Sequence, residues 1–275
     1  MALLALLSRR LCLATALCLL VPGPAAAWDG PLMESLSRDA RRLVPRTLAR
    51  LLGEREEPIY EAVRRFPAPL AQALAGDLLS GRLSPATQAL LDERVERPVT
   101  LIRERRVSEA LVELGALLRI PADLADPVLS AGSSGLPPGV ARSYYAFVGR
   151  SLGSIPVVLE DEAALELGRA ELGAYWQRVI ARSRAQAPVI RYELFRGGRL
   201  VDQRRIDYRN PLFGVASLSY SRAVNGIAAT WMAVWRELRG DLTRIPTPRE
   251  IDPLPGPGPE SSSASLSALP EETRP

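Results

Sequence analysis

Apolar residues recur at intervals of three and four along the first part of the chain, from Leu32 to about Leu118. This spacing places the apolar side chains on one face of a helix, so it predicts a series of amphipathic α-helices. Prolines mark the expected helix starts at Glu57-Pro58, Phe66-Pro67, Ser84-Pro85 and Arg97-Pro98. Ser84 is also a candidate N-cap, because a serine hydroxyl can accept a hydrogen bond from a free amide of the first turn.

Helical spacing continues through most of the remaining sequence. We expect a long helix from Pro98 to about Asp126, ending at Pro127, and further helices over residues 138–152, 160–184 and 211–239. One stretch differs: over residues 189–206 apolar and polar residues alternate and then meet Gly197-Gly198, which predicts a β-hairpin. The predicted fold class is therefore all-α, a single multi-helix domain with a small β-hairpin insertion near 189–206.

The two ends of the chain differ in composition from this helical region. Arg9 and Arg10 precede an apolar run from Leu11 to Val21 and the small residues Ala25-Ala26-Ala27, a pattern that predicts a signal peptide over residues 1–27. The run is too short to span a bilayer as a helix, so we expect no transmembrane segment in the mature chain. The expected domain covers residues 28–245, and the Pro-, Ser- and Glu-rich residues 246–275 predict a disordered tail. These features predict an exported protein, periplasmic or secreted.

The composition excludes several kinds of catalysis. The chain has no His and, as the printed sequence shows, no Lys, and both cysteines, Cys12 and Cys18, lie in the predicted signal peptide. Imidazole bases, thiolates, lysine nucleophiles and Cys/His zinc sites are therefore excluded from the mature chain. After residue 27 there are 33 basic and 31 acidic side chains, a net charge of +2. This balance makes nucleic acid an unlikely partner.

One stretch, Glu109–Ser130, combines a Leu-Gly pair with Asp and Pro residues at fixed intervals. It resembles the metal-binding helix of the superfamily of zinc-dependent phospholipases C and single-strand-specific nucleases. In that family a Leu-Gly pair leads into His, three residues, Asp, three residues, Pro, one residue and His. The corresponding positions here are held, in chain order, by Leu114-Gly115, Arg119, Asp123, Pro127 and Leu129. The spacing and the carboxylate are kept, whereas both imidazoles are absent.

Three further positions extend this resemblance. Members of the family are exported, and their mature chain begins with a Trp that ligates zinc, as Trp28 would after the predicted cleavage. The segment Leu218–Asn225 resembles a late helix of bacterial relatives, with Arg222 where a His is expected. Asp77 is a weaker match to a further Asp. The resemblance implies an all-helical fold with a zinc cluster, but this chain keeps too few nitrogen ligands to hold one.

We therefore expect a degenerate metal site at Trp28, Asp77, Arg119, Asp123, Leu129 and Arg222, with no catalytic residues, no bound metal and no other cofactor. Proline inside a helix kinks it, and we expect Pro121 to do so beside this site. Arg119 and Asp123 are four residues apart, so they can pair on one helix face. Our hypothesis is that Arg119, alone or with Arg222, supplies the positive charge that zinc supplies in the family. A bare surface ion pair remains the alternative.

The expected function is that of an exported, non-catalytic pseudoenzyme that binds a ligand or an envelope protein. A first alternative is a phosphodiester hydrolase that holds one hard cation on Trp28, Asp77 and Asp123. A second is a glycan-cleaving enzyme that depends on carboxylates, because glycoside cleavage needs no imidazole. Glu34-Ser35 resembles the Glu-Ser pair of lytic transglycosylases, although the Gly-Leu-Met-Gln segment that follows it in those enzymes is missing.

Overall fold

The computed structural model describes Trp28, residues 30–132 and residues 135–240. Within these ranges the chain forms α-helices, short 3₁₀ turns and one two-stranded sheet, so the predicted all-α class is confirmed. The helices are α1 (Gly30–Arg41), α2 (Arg46–Gly53), α3 (Glu56–Arg64), α4 (Ala68–Ser80), α5 (Pro85–Arg103), α6 (Val107–Ala116), α7 (Arg119–Leu124), α8 (Val140–Ser151), α9 (Leu172–Arg184), α10 (Ala187–Leu194) and α11 (Pro211–Glu237). The strands are β1 (Phe195–Arg196) and β2 (Arg199–Leu200). The predicted signal peptide and C-terminal tail lie outside the described residues.

Helix α11 runs through the centre of the core. Its N-cap is Asn210, whose Oδ1 accepts a hydrogen bond from the amide of Leu212 at 2.8 Å. The helix predicted over 211–239 is thus present and ends two residues earlier, at Glu237. Residues on most of its sides are buried, and it contacts α1, α7 and α10. The contact with α7 depends on Gly226, because a Cβ at this position would lie 2.8 Å from the Cβ of Pro121. The absence of a side chain at Gly226 therefore lets α7 pack closely against α11.

The prediction of one long helix from Pro98 to Asp126 is wrong, because this range is divided among α5, α6 and α7. Pro98 lies inside α5, where the burial of its neighbours Val95 and Val99 offsets the lost backbone hydrogen bond. The helix ends at Arg103, and Arg105 adopts a left-handed φ of 63°. Arg106 then donates hydrogen bonds to carboxylates on either side of the turn, those of Glu104 and Glu109. The break allows α5 and α6 to fold back against each other and bury both apolar faces.

The helix expected over 160–184 is correct only in its second half, α9. Residues Glu162–Glu166 and Arg169–Glu171 form 3₁₀ turns instead. Arg236 of α11 donates to the backbone oxygens of Leu165 and Leu167, the latter at 2.8 Å. A guanidinium that occupies these carbonyls competes with α-helical hydrogen bonding, so a residue more than sixty positions away helps to set the local structure.

The hairpin expected over 189–206 is much shorter than predicted. Residues up to Leu194 are helical in α10, with Ile190 and Leu194 buried and Tyr192 68% exposed. Only β1 and β2 pair, around Gly197-Gly198, whose φ values of 55° and 77° suit a tight hairpin turn. Ile190, Tyr192 and Leu194 are two positions apart, which is the spacing of one face of a strand. Ile190 and Leu194 are also four positions apart, which is the spacing of one face of a helix, so the sequence was compatible with both structures.

Across the described residues, no helix combines the length and apolar character needed to cross a bilayer.

Candidate functional site

Helix α7 carries Arg119 and Asp123, two of the positions on which the expected resemblance rests. Two residues separate it from the end of α6, and Pro121 lies in its first turn. Amides in a first turn have no intrahelical partner, so a proline is tolerated there. The prediction that Pro121 kinks a continuous helix is therefore wrong, because a new helix starts at Arg119.

Arg119 and Asp123 form an ion pair across one turn of α7. The guanidinium donates from Nε to Asp123 Oδ2 at 2.7 Å, while Asp123 is only 6% exposed and Arg119 is partly buried. Burial raises the pKa of Asp123, and the charge and hydrogen bond of Arg119 oppose that rise. The other oxygen, Oδ1, is buried without a hydrogen-bond partner among the described residues. The predicted pair thus forms, and it is not a bare surface contact.

Asp126 is a second buried carboxyl in the same motif. It is 0% exposed, and its Oδ1 accepts from the amide of Val128 at 2.7 Å. Its Oδ2 accepts from the phenol of Tyr145 on α8 at 2.8 Å. Burial raises the pKa of Asp126 to about 7, these hydrogen bonds oppose the rise, and the charge of Asp123 adds to it. The motif therefore contains two interacting carboxyls rather than one.

Trp28 is buried against the residues around the two carboxyls. Its indole Nε1 donates to the backbone oxygen of Ala122 at 2.8 Å, and its ring lies 6.4 Å from that of Tyr145, centroid to centroid. Ala122 immediately precedes Asp123 in α7. The structure therefore brings the predicted first mature residue and the motif helix together, across 94 positions of sequence.

A cavity of about 280 Å³ opens beside the cluster. Arg119 and Arg64 supply its cationic groups, Glu34 supplies a carboxylate, and the rest of the lining is mostly apolar or aromatic: Trp28, Gly30, Met33, Tyr60 and Val63. Arg64 Nη2 also donates to Glu61 at 2.6 Å and to Glu57 at 3.1 Å. Only Nε of Arg119 is engaged by Asp123, and the guanidinium also lies 5.9 Å from the ring centre of Phe66. Among the described residues, Asp123 is the hydrogen-bond partner of the Arg119 guanidinium.

Arg222 does not join this cluster. Its Nε donates to Glu160 Oε2 at 3.0 Å, and Arg222 Nη1 is buried without a partner among the described residues. Neighbouring residues of α11 bind the same loop, since Ser221 accepts from the amide of Val158 and Asn225 donates to its carbonyl. The hypothesis that Arg222 shares the charge of Asp123 is therefore wrong. The segment Leu218–Asn225 instead fastens the loop before Glu160 to the core.

The two remaining candidate positions have local structural contacts. Asp77 Oδ2 accepts from the amide of Ser84 at 2.6 Å, which closes the turn between α4 and α5. Ser84 is the N-cap of α5, as predicted, and accepts from the amide of Thr87. Leu129 is partly buried against the core. Asp77 makes no contact with Asp123 in the described structure. The three ligands that the phosphodiesterase alternative needs for its cation, Trp28, Asp77 and Asp123, are therefore not brought together.

The donor groups present do not fit the zinc cluster that the resemblance implies. Arg119 places a guanidinium where the family has an imidazole, and the Asp123 oxygen nearest to it is already used. Zinc sites are built from Cys, His and carboxylate ligands, and a guanidinium cannot replace any of them. In the described residues no three His, Cys, Asp or Glu side chains form a group able to hold a metal.

Several residues of this site were missed from the sequence. Asp126 precedes a proline, and Asp-Pro usually marks a turn rather than a buried carboxyl. Tyr145 and Tyr60 come from helices far away in sequence, where nothing local distinguishes them from ordinary half-buried tyrosines. Arg64 lies in a run of charged residues typical of a solvated helix end.

Comparison with known proteins gives no further assignment: no family model, no curated protein and no solved structure matches the chain.

Proposed function

We propose that this chain is an exported, non-catalytic protein on a scaffold resembling zinc-dependent phospholipase C, and that its cavity binds a small anion. The observation that carries the proposal is the buried Arg119–Asp123 pair. At the motif position where the family has an imidazole, this chain has a guanidinium that compensates the retained carboxylate. A cationic side chain in place of a metal ligand disfavours metal binding, and without the metal no Lewis acid lowers the pKa of an attacking water molecule.

The lining of the cavity indicates the chemistry of the ligand. Arg119 lines a space that Trp28, Met33 and Val63 also line. Guanidinium groups prefer bidentate contacts with the oxygens of phosphates or carboxylates. The apolar walls favour a hydrocarbon part next to that charge. The ligand class proposed is therefore an amphipathic phosphate or carboxylate.

Metal content tests the non-catalytic part of the proposal. The full chain, purified without a histidine tag, is equilibrated with zinc, manganese and calcium, desalted and measured by mass spectrometry. We expect no stoichiometric metal. Stoichiometric zinc or manganese, accompanied by phosphodiesterase activity that Asp123→Asn removes, would overturn the proposal and support the first alternative.

A restoration experiment tests the resemblance itself. The double variant Arg119→His/Leu129→His places imidazoles at both His positions of the motif, whereas Arg46→His/Arg65→His adds two imidazoles at exposed sites elsewhere. If the scaffold resembles that of the family, only the first variant should gain tight zinc binding in calorimetry. A folded first variant that binds zinc no better than the control would contradict the resemblance.

Ligand binding is measured with hexyl phosphate, inorganic phosphate and hexanol. We expect hexyl phosphate to bind the most tightly of the three, because it alone satisfies both the arginines and the apolar walls. Arg64→Met should weaken this binding about fivefold, the order expected for one partly exposed charge contact. Arg65→Met is the matched control, since Arg65 is the adjacent exposed arginine and does not line the cavity. Equal effects of both variants would contradict the proposed site.

Glu34 is the feature of the cavity that favours the glycan-cleaving alternative. It is exposed and contributes the one carboxylate among the described lining residues. Peptidoglycan digestion assays with the full chain and with Glu34→Gln distinguish the two functions. We expect no activity from either protein. Cleavage by the unmodified chain that Glu34→Gln removes would replace the binding function with the enzymatic one.

A further inference from the structure

A second surface of the molecule is rich in arginine and lies around the short hairpin. Residues 191–209 contain six arginines, and all six are exposed: Arg191, Arg196, Arg199, Arg204, Arg205 and Arg209. The same residues contain three acids, Glu193, Asp202 and Asp207. Positive charge is therefore concentrated here, although the mature chain as a whole is nearly balanced.

The acids of this segment are engaged within it. Glu193 is buried and accepts from Arg196 at 2.6 Å and from Asn210 at 2.9 Å. Asp202 and Asp207 accept from the backbone amides of residues two positions further along the chain. The arginines thus dominate the electrostatic character of the outer face.

Large apolar groups are exposed among these arginines. Tyr192 and Tyr208 are each 68% exposed, and Leu200 of the hairpin is 45% exposed. The guanidinium of Arg196 lies 5.1 Å from the ring centre of Tyr192, and that of Arg209 lies 6.0 Å from Tyr208. We call Tyr192, Arg196, Arg199, Leu200, Arg204 and Tyr208 the basic hairpin surface.

This surface is held on the body of the domain rather than on a free loop. Arg150 of α8 donates to the backbone oxygens of Gln203 and Ile206, at 2.5 and 3.3 Å. The amide of Val201 donates to the carbonyl of Leu194, which ties the end of the hairpin to α10. Because the segment is already ordered, a partner need not pay the conformational entropy of folding it.

We infer that the basic hairpin surface docks the protein on anionic phospholipid bilayers. Arginines near a membrane are attracted by the negative charge of its headgroups, and tyrosine rings favour the interface between water and hydrocarbon. Leu200 adds an aliphatic side chain that gains from burial in the acyl region. Nucleic acid is the competing partner, but an exposed leucine contributes nothing to phosphate contacts. One face of each tyrosine is also already covered by an arginine.

Vesicle co-sedimentation tests this inference on the full chain. Vesicles of phosphatidylcholine alone are compared with vesicles that contain phosphatidylglycerol. The excess binding to the anionic vesicles should fall about fivefold for each arginine that is removed, and it should fall further at high salt. The test variant is Arg199→Glu/Arg204→Glu. The matched control, Arg46→Glu/Arg65→Glu, makes the same charge change at exposed positions on α2 and at the end of α3, and should have a much smaller effect.

Fluorescence quenching locates the contact independently of residues 1–27, which could bind lipid by themselves. Tyr208→Trp places a fluorophore in the surface, and Leu79→Trp places one at an exposed position on α4. Lipids brominated in the acyl chains should quench the first variant more strongly than the second. Equal quenching, or equal loss of binding in both charge-reversed variants, would overturn the inference. Binding to single-stranded oligonucleotides without binding to anionic vesicles would do the same.

Discussion

Arg119 donates to Asp123 at 2.7 Å, one turn apart on α7, where Asp123 has almost no contact with solvent. An ion pair of this kind differs from the exposed pairs on other helices of the protein, because losing one partner leaves the other charged in a medium that solvates it poorly. This relationship links the fold to the proposed function, since the same guanidinium compensates the carboxylate and lines the cavity.

A double-mutant cycle should distinguish this pair from a surface contact. Arg119→Met is expected to lower the free energy of unfolding by about 2–4 kcal/mol, because Asp123 stays buried without its cation. Together with Asp123→Asn, the cycle should yield a coupling energy of about 2 kcal/mol. Urea denaturation measures both quantities.

The control cycle uses Arg50 on α2 and Glu54, the C-cap residue of that helix. This pair has the same spacing and order, but both side chains are more than half exposed and 3.9 Å apart. Its coupling should not exceed about 0.5 kcal/mol. Equal coupling energies in the two cycles would show that burial contributes nothing at Asp123.

Asp126 should make stability fall as the pH rises. Its pKa is about 7 in the folded protein, above the unfolded value of about 3.9, so the folded state holds the proton more tightly. The stabilisation is complete below about pH 4 and is lost as the pH rises towards and through 7, by up to about 1.4 kcal/mol per pH unit.

Asp126→Asn keeps the shape of the side chain and cannot titrate. Urea denaturation between pH 5 and 8 should therefore show a flatter stability profile for this variant, with its largest gain over the unmodified protein at pH 8. Parallel profiles for the two proteins would mean that Asp126 does not hold a proton in the folded state at these pH values.

The indole hydrogen bond of Trp28 should contribute measurably to stability. Trp28→Phe removes the donor to Ala122, whereas Trp176→Phe removes an equally buried indole whose Nε1 has no partner among the described residues. Both changes lose similar apolar area. Trp28→Phe should therefore be more destabilising by about 1–2 kcal/mol in denaturant titrations. The reverse order would show that this hydrogen bond is not what holds Trp28 in place.

The approach of α7 to α11 should depend on Gly226. Gly226→Ala is expected to destabilise the protein by about 1–3 kcal/mol, because the new methyl group overlaps Pro121. Gly214→Ala, on the same helix, has open space around the new methyl and should stabilise by about 0.5–1 kcal/mol. Thermal melts of both variants test this, and equal shifts in Tm would contradict the packing described.

Local patterns in the sequence were sufficient for part of this structure. The three-and-four spacing determined that the chain is helical, Ser84 marked the start of α5, and the spacing of four between Arg119 and Asp123 allowed them to pair. These features depend on residues within one or two turns, whose geometry is the same in every α-helix.

Tertiary structure alone decided the rest. The break after Arg103, the carbonyls of the 3₁₀ turns that Arg236 binds and the pairing of Arg222 with Glu160 all depend on groups that folding brings together. The burial of Asp126 and the cavity at Arg119 arise in the same way, from helices distant in sequence. An arginine can pair with any nearby carboxylate, and a carboxyl changes its pKa only when other elements exclude water from it. Sequence spacing therefore determined which contacts were possible, and packing selected which of them formed.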